Sequence, residues 1–424
     1  MKPALLKTRA IVLITALVFL GGWDLLHGGE ESLNEALTGN DTRRPSPTEA
    51  PLALGPDGYY WGVTHNSFKM PGYLYKVKAD GSDWKLVYTF PPPDVSAPAG
   101  TNPTGGLVSD GVDSLLGFTQ GNERGPDYGT LYKINAATGV LTTLVRFSGQ
   151  TGPHLGSLPR ATLAPAGSGV FWGSTVFGGT HVTGTIFKFH PATSVLTTVV
   201  EFPARPDSRF GPLVPFGALF SDGNGSCWGT NSSGGAEKCG TVFKVDATTG
   251  KLTTVVEFTK DKGGNHPEGS LVSDGAGFLW GTCPVGGKRR GTIFKVNATT
   301  GALTTVVEFT GEKGSNLGRI PKTALVSDGH GFLWGSTAQG GSGNAGTLFK
   351  VDIASGALTT LVEFERNQSH HKGYVPGAPL VSDGHGAFLG TTQYGGKKNA
   401  GTIFKIDIAT GVLTTLVELG KVGP

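Results

Sequence analysis

Seven segments of the form Gly-Thr-aliphatic-aromatic-Lys, or a close variant, end at Lys76, Lys133, Lys188, Lys244, Lys295, Lys350 and Lys405, so the chain repeats every 51 to 57 residues. A period of that length dictates architecture, because each copy must be one supersecondary unit that buries its faces on its neighbours. One copy shows the unit. Ala324-Leu325-Val326-Ser327 is a short apolar run, Asp328-Gly329-His330-Gly331 supplies turn chemistry, and Phe332-Leu333-Trp334-Gly335-Ser336-Thr337 follows as a second strand. After Gly340-Gly341 a third strand runs from Gly346 to Asp352, and a turn at Ser355-Gly356 leads into a fourth, Leu358 to Phe364. No stretch after residue 50 sustains a 3.6-residue apolar period, which predicts almost no helix.

Four strands repeated seven times, with connections too short for crossover helices, are best closed radially, which predicts an all-β, seven-bladed β-propeller over residues 51–420. An open solenoid is the main rival. Solenoid repeats are usually shorter, and their ends need distinct caps that these copies do not supply. The first copy begins with an inner strand near Leu52 and the last ends with an outer strand near Leu419, so closure is expected between whole terminal blades. Glycine supplies 69 of 424 residues, roughly twice its usual share, which suits many tight turns.

Upstream of the repeats, Lys2, Lys7 and Arg9 precede an apolar run from Ala10 to Trp23. The run is shorter than the roughly 20 residues of a spanning helix. Residues 1–26 therefore read as a signal peptide or, since no clean Ala-x-Ala site follows, a retained N-terminal membrane anchor. Residues 27–50 mix charges and prolines without periodicity and read as a disordered linker. The expected location is exported: periplasmic, cell-surface or extracellular, with membrane contact only through the N-terminal segment. A net charge of +3 over 424 residues is too small to advertise a nucleic-acid surface.

Within the repeat, Trp61, Trp172, Trp228, Trp280 and Trp334 recur at one second-strand position, with Leu116 and Leu389 in the other two copies. Regular recurrence in mid-strand points to packing between blades rather than to a stacking platform. The seven lysines and Glu201, Glu257, Glu308, Glu363 and Glu418 on adjacent strands are expected to form cross-strand pairs. Cys227, Cys239 and Cys283 form no disulfide framework, and Cys227 reads as a small buried hydrophobe.

The pattern Ser-Asp-Gly-x-Gly-x-x-Trp-Gly-[Ser/Thr], then Gly-Gly, then Gly-Thr-x-Phe-Lys, is best matched from Gly217 to Leu419. It resembles the GloVer tandem repeats of choice-of-anchor bacterial surface proteins, a resemblance that implies surface display and assigns no catalytic residue. Its Asp-Gly-x-Gly-x-x-Trp hairpin is also similar, more weakly, to sensor-kinase and streptogramin-lyase propellers.

Sharp chemical signatures are missing. Gly390 to Lys397 and Gly281 to Lys288 imitate a phosphate loop, but no Gly-Lys-[Ser/Thr] leads into a helix, and the same glycine frame recurs without lysine as a hairpin device. No metal site, cofactor motif, nucleophile elbow or Cys-x-x-Cys is found. His370-His371 are a candidate pair, although adjacent side chains on an extended segment diverge. Antiparallel order places the stereotyped Asp-Gly and Thr-Gly turns on one end of the propeller. The other end holds the second-to-third hairpins and the variable connections 203–215, 259–269 and 365–376.

Loops on a rigid scaffold carry function, so the variable end is the expected binding face. Its candidates are Lys288, Arg289 and Arg290, Lys397 and Lys398, and His370 and His371, suited to an anionic glycan or surface protein. Exchanging Lys288, Arg289 and Arg290 together for serine is expected to leave stability almost unchanged. Three classes remain open at this level: a binding module, a lyase- or hydrolase-like enzyme with its site in the central funnel, and a structural array.

Overall fold

The computed structural model describes residues 50–64, 71–92, 99–121, 127–204, 217–260, 263–366 and 372–419. The readings of residues 1–49 as signal, anchor and linker lie outside them. Ala50, assigned to the linker, is half-buried and packs on the first core cluster.

Seven antiparallel sheets follow one another along the chain, each built from consecutive strands, and the described residues contain no helix. The fold is a seven-bladed β-propeller. Blade five shows the unit: Val272–Ser273, Phe278–Cys283, Thr292–Asn297 and Leu303–Glu308. The second and third strands are buried along most of their length, whereas the fourth alternates with solvent and forms the outer edge. Closure is between whole blades. Leu52, Tyr60, Tyr75 and Val77 of blade one share a buried cluster with Leu389, Ile403 and Leu419 of blade seven, and the Tyr60 hydroxyl donates to the Ser382 carbonyl at 3.3 Å.

The five second-strand tryptophans are core, each at most 2% exposed. Trp280 of blade five packs on Leu325, Leu333, Phe349 and Val351 of blade six. Its indole N–H donates to Asp274 at 3.0 Å, and the same bond joins Trp228 to Asp222 and Trp334 to Asp328. That aspartate also closes the first turn, accepting the N–H groups of Ala276 and Phe278 in blade five.

Among the described residues the expected lysine–glutamate pairs do not form. Lys295 lies opposite Thr304, and Glu308 lies opposite Thr292. Three residues separate the two along the third strand, which places them on opposite faces of the sheet. The lysine instead lies over the tryptophan: Lys295 Nζ is 5.2 Å from the Trp280 ring and Lys188 Nζ 4.9 Å from the Trp172 ring. Lys188 also donates to the Ala247 carbonyl in the next blade at 2.6 Å, and Lys405 pairs with Asp383 at 2.8 Å. The glutamates serve the other end. Glu201, Glu257, Glu363 and Glu418 each accept one N–H from a hairpin tip, at 2.6 to 2.9 Å.

These carboxylates make stability depend on pH. Burial pushes Asp383 up, but Lys405 and the N–H groups of His385 and Ala387 outweigh it and hold the carboxyl below its usual range. The balance at Asp222 has the same sign, and the turn N–H groups of Thr249, Ser355 and Thr410 lower Asp246, Asp352 and Asp407. A folded pKa below the unfolded value, about 3.9 for aspartate, gives stabilisation that is complete above that value and lost as pH falls through the folded one. The urea midpoint is therefore expected to hold from about pH 7 to 5 and to drop below about pH 4. A midpoint that persists to about pH 2.5 would contradict this assignment.

Cys227, Cys239 and Cys283 are free and buried, and burial pushes each thiol up.

Candidate functional site

The two ends are built differently, as the turn chemistry predicts. At the uniform end, His330 and His385 sit in first turns where Asp328 and Asp383 accept the backbone N–H groups at 2.7 and 2.8 Å. These contacts close hairpins and leave His330 exposed.

At the variable end, five of the hairpins begin with two glycines. Gly340 shows why: with φ of 87° it lies in the left-handed region, and an added Cβ would sit 2.6 Å from the Gly318 backbone in the connection from blade five. Four tips place four residues between the glycine pair and the glycine that precedes the third strand; the fifth blade has three, Lys288-Arg289-Arg290. The shorter tip folds differently. Lys288 and Arg289 are both left-handed, at φ of 57° and 68°, a conformation that costs L-residues roughly 1–2 kcal/mol each. Asn344 and Asn399 fill the corresponding strained positions in blades six and seven, where asparagine tolerates this region and its Oδ1 accepts the N–H of Gly340 or Gly395. The fifth tip also lacks the glutamate bond: among the described residues, none of its N–H groups reaches Glu308.

Lys288, Arg289 and Arg290 are all exposed, but they do not share one role. The Arg290 guanidinium donates to the Thr310 carbonyl, and its own carbonyl accepts the N–H of Ile320, so it ties the tip to the connection entering blade six. Of the three, Arg290 is the one whose side chain is tied to the fold. Lys288 and Arg289 have no side-chain hydrogen bond or ion pair among the described residues. Lys397 and Lys398 are exposed on the seventh tip, where Glu418 accepts the Lys397 backbone N–H. His370 and His371 lie outside the described residues, as do residues 205–216, most of one variable connection.

Toward the axis, blades two, three, five, six and seven open with an inner segment of the form Pro-x-x-x-Leu, at residues 103–107, 159–163, 267–271, 321–325 and 376–380. It bulges by two residues: Thr104 faces Phe118 but Val108 faces Leu116. Neighbouring segments meet backbone to backbone, since a Cβ on Gly105 would approach the Arg160 carbonyl to 2.7 Å and one on Gly217 the Ser270 nitrogen to 2.5 Å. Thr282 donates to the Thr323 carbonyl at 3.0 Å, and Thr162 accepts the Gly106 N–H at 2.7 Å. Glycine, threonine and backbone thus form this wall, with Arg160, Glu268 and Lys322 half-buried at the residue after the proline. The described residues contain no group of three His, Cys, Asp or Glu that could hold a metal ion.

The residue before each glycine pair carries no motif and is missed by motif reading. Across the copies it is Phe177, Ser233, Val285, Gln339 and Tyr394, a different residue in each of the five. Superposing the copies and asking where they disagree is the signal that finds it.

The family model described as Gloeobacter/Verrucomicrobia repeat matches residues 26–212, 153–320 and 215–423. None of the curated proteins matches the chain. Among solved structures it is similar to a periplasmic gluconolactonase of Pseudomonas aeruginosa, at 17% identity and a TM-score of 0.54 over 89% of this chain and 95% of that one. It is also similar to the GH74 enzyme of Niastella koreensis, at 13% and 0.53 over 89% of this chain and 55% of that one. An oligogalacturonate lyase of Vibrio parahaemolyticus matches at 10% and 0.51, over 86% and 90%. At these identities the likeness concerns the fold alone.

Proposed function

The chain belongs to the Gloeobacter/Verrucomicrobia repeat family, and from that premise we propose that it is an exported or cell-surface binding module that captures an anionic polymer on its variable end. The observation that carries the reading is the fifth hairpin tip. Lys288 and Arg289 project from a shortened tip with two successive left-handed residues, where the tips of blades three, four, six and seven have one each, and among the described residues neither side chain has a hydrogen bond or ion pair. Backbone strain without a folding role is what a displayed site can retain. Export rests on the basic start and apolar run of residues 1–23.

The test replaces Lys288 and Arg289 by serine and leaves Arg290 in place. At about 0.2–1 kcal/mol for each of the two exposed charges, capture of an acidic polymer should weaken about two- to thirtyfold, with the urea midpoint unchanged. Raising salt should weaken wild-type capture as screening shortens the reach of the charges below about 8 Å. Alanine at His330 and His385, on the opposite end, should have no effect. Binding that ignores the double variant but disappears with the histidine variant would place the site on the wrong face.

The enzyme alternative draws on one observation, the charged residues Arg160, Glu268 and Lys322 on the inner segments. Cleavage of the captured polymer that Glu268→Gln abolishes would favour it.

A further inference from the structure

Where the chain entering a blade meets the end of the second strand, one cross-strand pair closes the inner edge. It is Ser157 with Phe177, Asn265 with Val285, Arg319 with Gln339, and Tyr374 with Tyr394. The variety shows that closure needs no aromatic there. In blade seven the two tyrosine rings stack, with centroids 5.3 Å apart and planes 21° from parallel. The Tyr374 hydroxyl donates to Asn399 Oδ1 at 3.2 Å, and the same oxygen accepts the Gly395 N–H at 2.9 Å, which fixes the shelf to the hairpin tip.

The seventh blade is reinforced around this pair. Its second strand, Ala387–Tyr394, is eight residues long where that of blade six, Phe332–Thr337, has six. The entering chain forms a strand of its own, Tyr374–Pro376, in place of the isolated bridges of blades three, five and six. Rigid, paired elements hold a recognition group more precisely than loops do. Tyr374 covers one side of Tyr394, yet 41% of Tyr394 remains exposed. Three and four residues further along the same hairpin, Lys397 and Lys398 are exposed as well.

We propose that the Tyr374–Tyr394 shelf, with Lys397 and Lys398 beside it, is a subsite for one pyranose ring of an acidic saccharide. The apolar C–H face of a sugar packs on an aromatic ring with a polar handle, and a carboxylate on the sugar meets the lysines. The subsite rests on the anionic-polymer reading and names its ligand class. A nucleic-acid strand would ask for a cationic groove tracking several phosphates, which a net charge of +3 over 424 residues does not supply.

The experiment titrates the full chain with a polyglucuronate hexasaccharide, with inorganic polyphosphate of equal charge and with an oligothymidylate. Tyr394→Ala should weaken polyglucuronate binding about three- to tenfold, the range of an aromatic contact, and leave polyphosphate binding unchanged. Tyr394→Phe should keep wild-type affinity, which separates loss of the ring from any local loosening. The subsite is overturned if Tyr394→Ala leaves polyglucuronate binding intact, if it weakens all three probes equally, or if wild-type protein fails to bind polyglucuronate at millimolar concentration. Binding that depends on Lys288 and Arg289 but ignores Tyr394 would keep the basic tip and reject the shelf. The opposite dependence would keep the shelf and reject the tip.

Discussion

Trp280→Ala is expected to lower the free energy of unfolding by about 3 to 5 kcal/mol, the range of large aromatic truncations in a packed core. The side chain has no exposed surface and fills the space between blades five and six, against Leu325, Leu333, Phe349 and Val351. Three losses coincide. A cavity opens whose walls belong to two separate sheets, Asp274 Oδ2 loses the indole N–H at 3.0 Å, and Lys295 loses the ring 5.2 Å from its ammonium. Trp280→Phe keeps much of the packing and forfeits the hydrogen bond, so it should cost clearly less. Urea denaturation measures both, with the slope m reporting whether the unfolding unit has changed. An alanine variant with the wild-type midpoint would mean that the two blades are not packed on each other at this residue.

The period of the Gly-Thr-x-aromatic-Lys segment was enough to read the blade count, the strand order and closure by whole blades, because each follows from how many identical units must share one axis. Pair contacts were less accessible. Lys295 and Glu308 were expected to meet because they lie on neighbouring strands, but alternation decides the face, and the fourth strand carries a bulge opposite Ile293 and Phe294 that sequence composition does not announce. The glutamates turn out to hold hairpin tips and the lysines to cover tryptophans.

The variable end was legible as a place, since its insertions differ in length while the opposite turns do not. What each residue does there was not. Lys288, Arg289 and Arg290 look equivalent as three adjacent cations, and only the path of the connection through Thr310 separates Arg290, which is tied down, from the two that are displayed. Tyr394 escaped notice because an isolated tyrosine before a glycine pair means nothing until its copies are seen to be Phe177, Ser233, Val285 and Gln339. In a repeat protein the scaffold declares itself by agreement between copies, and the site by their disagreement.

The second-strand glycine is the counterpart of that rule. Gly281 lies in regular strand, so conformational freedom does not explain it; space does. An added Cβ would sit 2.4 Å from Phe294 Cζ and 3.1 Å from Leu271 Cδ2, and the same aromatic approach recurs at Gly173, Gly229, Gly335 and Gly390. Phe294 cannot swing away freely, because it packs edge-on against Phe258 of blade four at 5.0 Å. Gly281→Ala should therefore destabilise the fold by about 1–3 kcal/mol through overpacking, although alanine has the better strand propensity. Phe294→Leu removes the ring tip that the methyl strikes. Alone it costs packing, but combined with Gly281→Ala it should recover part of the loss, giving a coupling of about 0.5–3 kcal/mol in a double-mutant cycle. Additive effects of the two substitutions would show that the glycine serves the backbone rather than the neighbouring ring. A favourable coupling would identify each blade as a wedge whose thickness is set by one missing methyl group.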